Sequence, residues 1–292
     1  MQLIKTIEVA NELGEGIVWD SQQQLILWVD IVGYKFFAYD PISDQMQFWT
    51  TPERLASFTT TQEPGKFIAA FESGFAFYSP SKDSVDWIKK IETDNPGTRF
   101  NDGRSDRQGR FWAGTMVENS DQATSSGAMY CLHSDLSVTT GITQLEIPNS
   151  LCWSPDGSIV YHADSPKQTI KKYHYDHANG EFLNEEIFAR TEPDCYPDGS
   201  IVDQQGFVWN AQWGGSKVVR YKPNGEVDLE LAIPTAQPSC VGFAGADLDL
   251  LVVTSAWQGM DEQTKSSDPQ AGHLFIYQTP FAGIIDAGFI QN

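Results

Sequence analysis

The segment GEGIVWD (residues 14–20) decides the fold, because five related segments recur at a regular spacing through the rest of the chain. Each segment carries a polar residue at its second position and is followed by a turn. These second positions lie 41 to 49 residues apart, the period expected of one four-stranded blade of a β-propeller. The six segments are GEGIVWD (14–20), ASFTTT (56–61), FNDGRSD (100–106), PNSLCWS (148–154), PDGSIVD (197–203) and PSCVGFA (238–244).

Further strands follow each repeated segment in the expected order. A short β-branched and aromatic run comes after the turn, such as LILWVD (25–30) or FVWNAQW (207–213), and a third run follows, such as KFFAYDP (35–41). No long stretch has helical periodicity. The sequence therefore predicts an all-β chain, a six-bladed β-propeller with four-stranded blades, folded as a single domain over residues 1–292. We expect LIKTIEV (3–9) to pair with a strand from the end of the chain, since an unclosed ring would leave strand edges exposed.

The polar second positions predict a site at one end of the central channel. The innermost strand of each blade lines the channel, so the residue that opens the strand lies at the channel mouth. Such polar groups either bind water and each other or converge on a ligand. Two carboxylates and one amide oxygen among them match the oxygen ligands of a hard or borderline divalent cation. The six openers are Glu15, Ser57, Asn101, Asn149, Asp198 and Ser239, and the predicted metal ligands are Glu15, Asn149 and Asp198.

Charge and cysteine content limit the classes of partner. The chain has 19 Lys and Arg against 39 Asp and Glu, a net charge of -20, so its mean surface repels nucleic acid and anionic membranes. Four widely spaced cysteines are expected to be reduced core residues. Neither a signal peptide nor a membrane-spanning run is recognisable, which predicts a cytoplasmic protein. Separately, we expect a monomer or weak dimer with a small-molecule partner.

The motifs GEGIVWD, RFNDGRSDRQGRFWAGTM, PNSLCWSPDG, YPDGSIVDQQGFVW and AQWGGSKVVRY together resemble those of the SMP-30, regucalcin and gluconolactonase family. The resemblance implies a six-bladed propeller with one axial divalent metal, and for bacterial members a lactonase that opens sugar-acid lactones. By motif position it places the metal ligands on Glu15, Asn149 and Asp198. It also implies three substrate-binding residues, namely Arg99, Asn101 and Glu118. Val117 stands where the family commonly has alanine.

The chemistry of lactone opening suits these residues. A metal with open positions polarises a carbonyl and activates water, and Asp198 is predicted both to bind the metal and to accept a proton. The ion is left open among Ca²⁺, Zn²⁺, Mn²⁺, Mg²⁺ and Fe²⁺. Two residues stay undecided: Cys195, three residues before Asp198, either approaches the metal or, as we favour, lies in the core or a loop, and Trp213 borders the pocket or packs within its blade. A calcium-binding regulatory protein without turnover and a propeller used as an interaction platform are the alternative functions.

Overall fold

Six four-stranded antiparallel sheets form the blades of a six-bladed β-propeller in the computed structural model, which describes residues 1–291. The predicted fold class is confirmed. Blade 1 contains β2 (Gly14–Asp20), β3 (Leu25–Asp30), β4 (Lys35–Asp40) and β5 (Gln45–Thr50). Blade 2 contains β6 (Leu55–Thr60), β7 (Phe67–Phe71), β8 (Gly74–Ser79) and β9 (Ser84–Lys90). Blade 3 contains β10 (Thr98–Ser105), β11 (Phe111–Val117), β12 (Gly127–Leu132) and β13 (Val138–Leu145). Blade 4 contains β14 (Pro148–Trp153), β15 (Ile159–Asp164), β16 (Thr169–Asp176) and β17 (Glu181–Arg190).

The last two blades bring the ends of the chain together. The N-terminal strand β1 pairs antiparallel with β24, with Ile7 opposite Leu274, so the first strand of the chain completes the last blade. This closure is the one predicted for residues 3–9, and it covers the edge that β24 would otherwise expose. Blade 5 contains β18 (Tyr196–Val202), β19 (Val208–Trp213), β20 (Lys217–Tyr221) and β21 (Val227–Ala232), and blade 6 contains β22 (Pro238–Ala244), β23 (Leu250–Ser255), β24 (Leu274–Gln278) and β1 (Gln2–Ile7).

Short helical turns interrupt the strands. An α-helix, α1 (Glu262–Ser267), lies between β23 and β24, and its N-cap Asp261 accepts a hydrogen bond from the Thr264 amide at 2.7 Å. Two 3₁₀ turns span Pro80–Lys82 and Ser165–Lys167. Helix α1 was not predicted from the sequence, because six residues are too few to show a helical period. Within residues 1–291, no helix is long and apolar enough to cross a membrane.

Every innermost strand contains a break in register near its start. Each break adds one residue to the inner strand relative to its partner, which is a β-bulge and turns the neighbouring side chains out of the usual alternation. In two of the bulges the residue after the opener has a left-handed backbone, with φ of +64° at Gly16 and +61° at Ser150. The six breaks lie between Glu15 and Val18, Leu55 and Ser57, Phe100 and Gly103, Asn149 and Cys152, Pro197 and Ser200, and Pro238 and Val241.

The hydrophobic core lies between adjacent blades. Trp28 stacks on Phe37 with ring centroids 4.8 Å apart, in a cluster that joins blades 1 and 6. Trp112, Trp153 and Trp209 are almost fully buried, as expected of residues that pack blades together. All four cysteines are buried and unbridged, as expected.

The C-terminal tail (residues 279–291) crosses the end of the channel away from the strand openers. Its backbone amides donate to carbonyl oxygens of three blades: Gly283 to Leu248, Phe289 to Thr60, and Ile290 to Gly109. The tail also brings Asp286 to Arg104 of β10, at 2.6 Å. The last part of the chain therefore fastens separate blades to one another at the end opposite the strand openers.

Candidate functional site

A cavity of about 280 Å³ lies where the innermost strands of four blades begin. Five of the six predicted site residues line it: Glu15, Arg99, Asn101, Asn149 and Asp198. The β-bulges explain the convergence, because they direct side chains at the start of each inner strand toward the channel axis.

Two of the six strand openers, Ser57 and Ser239, are not among the residues that line this cavity. The Ser239 hydroxyl donates to the Gly14 carbonyl oxygen and contacts the Thr254 hydroxyl. Ser57 is fully buried, and its oxygen lies where a side chain on Gly103 would clash. Both serines therefore belong to the contacts between inner strands.

Two buried carboxylates form the centre of the site. Glu15 and Asp198 are each 7% exposed, and their side chains share a hydrogen bond. Burial, followed by the charge of Asp102, raises the pKa of Glu15 to about 8. Burial, followed by the charge of Glu15, raises the pKa of Asp198 well above its usual value. Because a nearby positive charge stabilises the ionised form of a carboxyl group, a cation bound here would favour ionisation of both Glu15 and Asp198.

A chain of hydrogen bonds orients the amides beside these carboxylates. Asn101 Nδ2 donates to Asn149 Oδ1 at 3.0 Å and to the Pro148 carbonyl oxygen at 3.1 Å. Asn149 Nδ2 donates to Ser165 Oγ at 2.8 Å, and that hydroxyl donates to the Pro197 carbonyl oxygen at 2.7 Å. Because Asn149 uses its nitrogen on Ser165, its oxygen faces Asn101 with one lone pair left for another ligand.

Arg99, in strand β10 of the third blade, donates the first hydrogen bond of this series. It is 3% exposed, and its Nη1 donates to Asn101 Oδ1 at 3.2 Å and to the Phe100 carbonyl oxygen at 2.8 Å. Its Nε donates to Glu118 Oε1 at 2.8 Å. The guanidinium thus fixes the orientation of the Asn101 amide, because Asn101 must present its oxygen to Arg99 and its nitrogen to Asn149.

Glu118 pairs with Arg99 and is not among the residues that line the cavity, and its predicted contact with substrate stays a prediction. Its Oε1 also accepts from Arg54 Nη1 at 2.7 Å, while Arg54 Nε donates to Glu72 at 2.5 Å. Burial opposes ionisation of Glu118, but the hydrogen bonds from Arg54 and Arg99 outweigh burial and lower its pKa. The sequence analysis missed Arg54 and Ser165, since neither occupies a repeat position.

Trp213 and Cys195 differ in their position relative to the cavity. Trp213 lines the cavity together with Tyr196 and Gln258. Cys195 is buried outside the cavity lining, and burial raises the pKa of its thiol. Cys195 is therefore the buried cysteine that the sequence analysis favoured.

The donor set has the composition of an oxygen-ligated cation site. Glu15 and Asp198 contribute carboxylate oxygens and Asn149 an amide oxygen, the ligands that hard divalent cations prefer. Within residues 1–291, no group of three or more His, Cys, Asp or Glu is arranged to hold a metal ion. A metal at this mouth would therefore depend on the amide oxygen of Asn149 as well as on the two carboxylates.

Comparison with known proteins agrees with the fold. The family model for the SMP-30/gluconolactonase/LRE-like region matches residues 13–257. The L-arabinolactonase of Azospirillum brasilense is 39% identical over 284 residues, which cover 97% of this chain and 93% of that protein. Regucalcin of Danio rerio is 32% identical over 277 residues, 92% of this chain and 91% of that protein. The crystal structure of a calcium-binding protein, regucalcin, from Agrobacterium tumefaciens superposes with a TM-score of 0.92 at 27% identity, covering 98% of this chain and 97% of that one.

Proposed function

The chain belongs to the SMP-30/gluconolactonase/LRE-like family, and from this premise we propose that it hydrolyses a sugar-acid lactone to the aldonic acid in a metal-dependent reaction. One observation carries the proposal: Glu15 and Asp198 are buried together in a cavity that Arg99, Asn101 and Asn149 also line. The relative named L-arabinolactonase supports an enzyme that acts on lactones, a carboxylic-ester hydrolase. Candidate substrates are gluconolactone, xylonolactone, arabinonolactone and galactonolactone.

Glu15, Asn149 and Asp198 would hold one divalent metal ion. When bound, such an ion polarises the lactone carbonyl and lowers the pKa of water. The ion is one of Ca²⁺, Zn²⁺, Mn²⁺, Mg²⁺ and Fe²⁺, all of which accept oxygen ligands. Asn149 is held for this role by Ser165, which fixes the amide so that its oxygen stays within the site.

Asp198 carries the proton in this proposal. Its carboxylate accepts a proton from the attacking water as the water oxygen bonds to the carbonyl carbon. The bond between that carbon and the ring oxygen then breaks, and Asp198 returns the proton to the departing oxygen, which becomes a hydroxyl group. Asp198 is placed for both steps because it lines the cavity beside Glu15 and Asn149.

Arg99 and Asn101 orient the substrate. The Arg99 guanidinium is already held by Glu118, Phe100 and Asn101, so little conformational freedom is lost when it meets the lactone. Its positive charge also stabilises the negative charge that develops on the carbonyl oxygen. Glu118 acts through Arg99 as a positioning residue.

A calcium-binding protein without turnover is the second candidate, favoured by the relatives named regucalcin. The two candidates make opposite predictions for the same preparation. An enzyme accelerates the opening of at least one lactone with at least one ion, whereas a calcium-binding protein takes up Ca²⁺ tightly and leaves every lactone at its spontaneous rate.

The test is a pH-indicator assay of a lactone panel on metal-stripped protein reconstituted with each ion in turn. We expect turnover that disappears on chelation and falls at least a hundredfold in Asp198→Asn. Asn149→Ala should require far more metal for half-maximal activity, while the matched control Asn179→Ala, in an exposed turn, should behave as wild type. If no combination of lactone and ion exceeds the spontaneous rate, the proposed activity is wrong.

A further inference from the structure

Each blade ends in an outer strand whose far edge has no neighbour in the sheet. Such an edge presents unpaired backbone N–H and C=O groups, and proteins usually protect it with charged side chains or with bulges that interrupt the register. The outer strands of blades 1 to 6 are β5, β9, β13, β17, β21 and β1. Five of these six strands carry at least one such protection.

Strand β5 carries neither protection. Its sequence QMQFWT contains no charged residue, and all six of its residues pair with β4 without a break in register. The pairings of β1, β9, β13, β17 and β21 with their neighbours each contain at least one register break. All of these strands except β13 also carry charged side chains. Among the described outer strands, β5 is therefore the one regular, uncharged edge.

The two faces of β5 are also open. On one face Met46 is 41% exposed and Phe48 is 55% exposed, and Ile42, in the turn before the strand, is 84% exposed. On the other face Gln47 and Trp49 line a cavity of about 430 Å³ between blades 1 and 2. The strand therefore offers unpaired backbone groups, an apolar face and an open cavity to a further strand.

Charge makes a second copy of this chain the partner that fits. The chain has a net charge of -20, so two copies repel each other over most of their surfaces. The repulsion is smallest where β5 faces itself, because the strand is uncharged and the nearby Asp44 is already paired with Lys5 at 2.8 Å. An antiparallel pair about a two-fold axis perpendicular to the sheet keeps like faces together. Met46 and Phe48 of one copy would thus lie on the same face as those of the other.

We propose that β5 pairs antiparallel with β5 of a second copy, so that two blades join into one continuous sheet across a two-fold axis. The free backbone groups of each strand then bond to those of the other. Because β5 is the outermost strand of its blade, the dimer leaves the cavities at both channel mouths open. A contact built on two six-residue strands is small beside the area of about 1,600 Å² in a standard stable interface. The dimer is therefore weak and depends on concentration.

Analytical ultracentrifugation tests the association. The mass should rise from 32.5 kDa toward twice that value as the protein concentration increases from about 1 to about 200 µM. Added salt should strengthen the association, because it screens the repulsion between two acidic copies, whereas an interface built on ion pairs would weaken. A protein that stays monomeric over this range, or that dissociates as salt is added, overturns the proposal.

The variant Gln47→Lys tests whether β5 forms the contact. It brings two like charges together between the paired strands and should weaken dimerisation at least tenfold. The matched control Thr140→Lys adds the same charge at an exposed position of the other uncharged outer strand, β13, and should associate like wild type. Neither residue lines the channel-mouth cavity, so both variants should keep the circular dichroism of the wild type. Equally strong dimerisation of Gln47→Lys and wild type overturns the proposal.

Amide hydrogen exchange measured by mass spectrometry locates the contact within the chain. Exchange of residues 45–50 should be slower at about 200 µM than at about 1 µM protein, because the free N–H groups of β5 become bonded, while residues 138–145 should not change. In Gln47→Lys the slowing should disappear. Slowing confined to another strand would identify a different interface and overturn the pairing through β5.

Discussion

Replacing Glu118 by glutamine tests whether this residue acts on the substrate directly or through Arg99. Glu118 accepts hydrogen bonds from Arg99 at 2.8 Å and from Arg54 at 2.7 Å, and it does not line the cavity. Glutamine keeps the size and one acceptor oxygen but removes the charge. The buried Arg99 guanidinium would then lack a carboxylate partner, while its contacts with Phe100 and Asn101 remain.

The expected magnitude follows from burial. Removing one partner of a fully buried ion pair costs about 3–5 kcal/mol, whereas an exposed pair contributes about 1 kcal/mol or less. Arg99 is 3% exposed and the Glu118 side chain 35% exposed, so the pair lies between these limits. With the glutamine oxygen still accepting a hydrogen bond, we expect a loss of about 1–2 kcal/mol in the free energy of unfolding.

Activity should fall with the orientation of Arg99. A guanidinium that is no longer fixed loses the geometry needed to stabilise the transition state, and we expect kcat/KM to decrease about tenfold. Because the effect passes through Arg99, it should be similar for lactones that differ in hydroxyl configuration. A carboxylate that read one hydroxyl would instead change the preference between them.

Urea denaturation and lactone kinetics measure both quantities, with Glu72→Gln as the control. Glu72 also pairs with Arg54 but has no contact with Arg99, so its variant should lose less than about 1 kcal/mol and keep wild-type kcat/KM. Similar behaviour of the two variants, or a changed order of preference among lactones in Glu118→Gln, would rule out a role of Glu118 through Arg99.

Two further predictions concern buried charge. Burial lowers the pKa of His162 to about 4, so the unfolded chain takes up a proton below pH 6.5 while the folded protein does not, and stability falls as the pH drops through this window. Between pH 7.5 and 4.5, the free energy of unfolding measured by urea denaturation should fall by about 2–3 kcal/mol more in the wild type than in His162→Gln. The control His174→Gln, at an exposed position, should lose as much as the wild type. Asp286→Asn should lower the unfolding free energy by about 2 kcal/mol, since Arg104 is buried and bonds Asp286 at 2.6 Å; exposed Asp247→Asn should not.

The repeat made the fold predictable because each blade presents the same order of polar opener, turn and aromatic strand. It also placed Glu15, Asn149 and Asp198 at one end of the channel, since equivalent positions of a closed ring lie at the same end. Ser57 and Ser239 occupy equivalent positions but do not line the cavity. In β6 the register break comes between Leu55 and Ser57, so Ser57 follows the bulge, while the short Ser239 side chain reaches only the neighbouring strand.

Residues that hold the site in place could not be predicted from the repeat. Ser165 lies in a 3₁₀ turn after β15, and Arg54 precedes β6. Each contacts the site only because two blades meet there. The pairing of Glu118 with both Arg99 and Arg54 could not be read from the family motif, because it joins residues that are far apart in the sequence.

The two ends of the channel are linked by charge. Glu15 and Asp198 lie at the mouth, and the charge of Asp102 acts on both. Farther along the same strand as Asp102, Arg104 opposes this negative charge, and Arg104 is in turn paired with Asp286 of the C-terminal tail. Because Coulomb interactions among buried groups are only weakly screened, the closing tail belongs to the electrostatic environment of the site. The repeat alone therefore accounts for where the carboxylates lie, whereas the chain of charges that starts at Asp102 extends through Arg104 to Asp286, which lies outside the repeat.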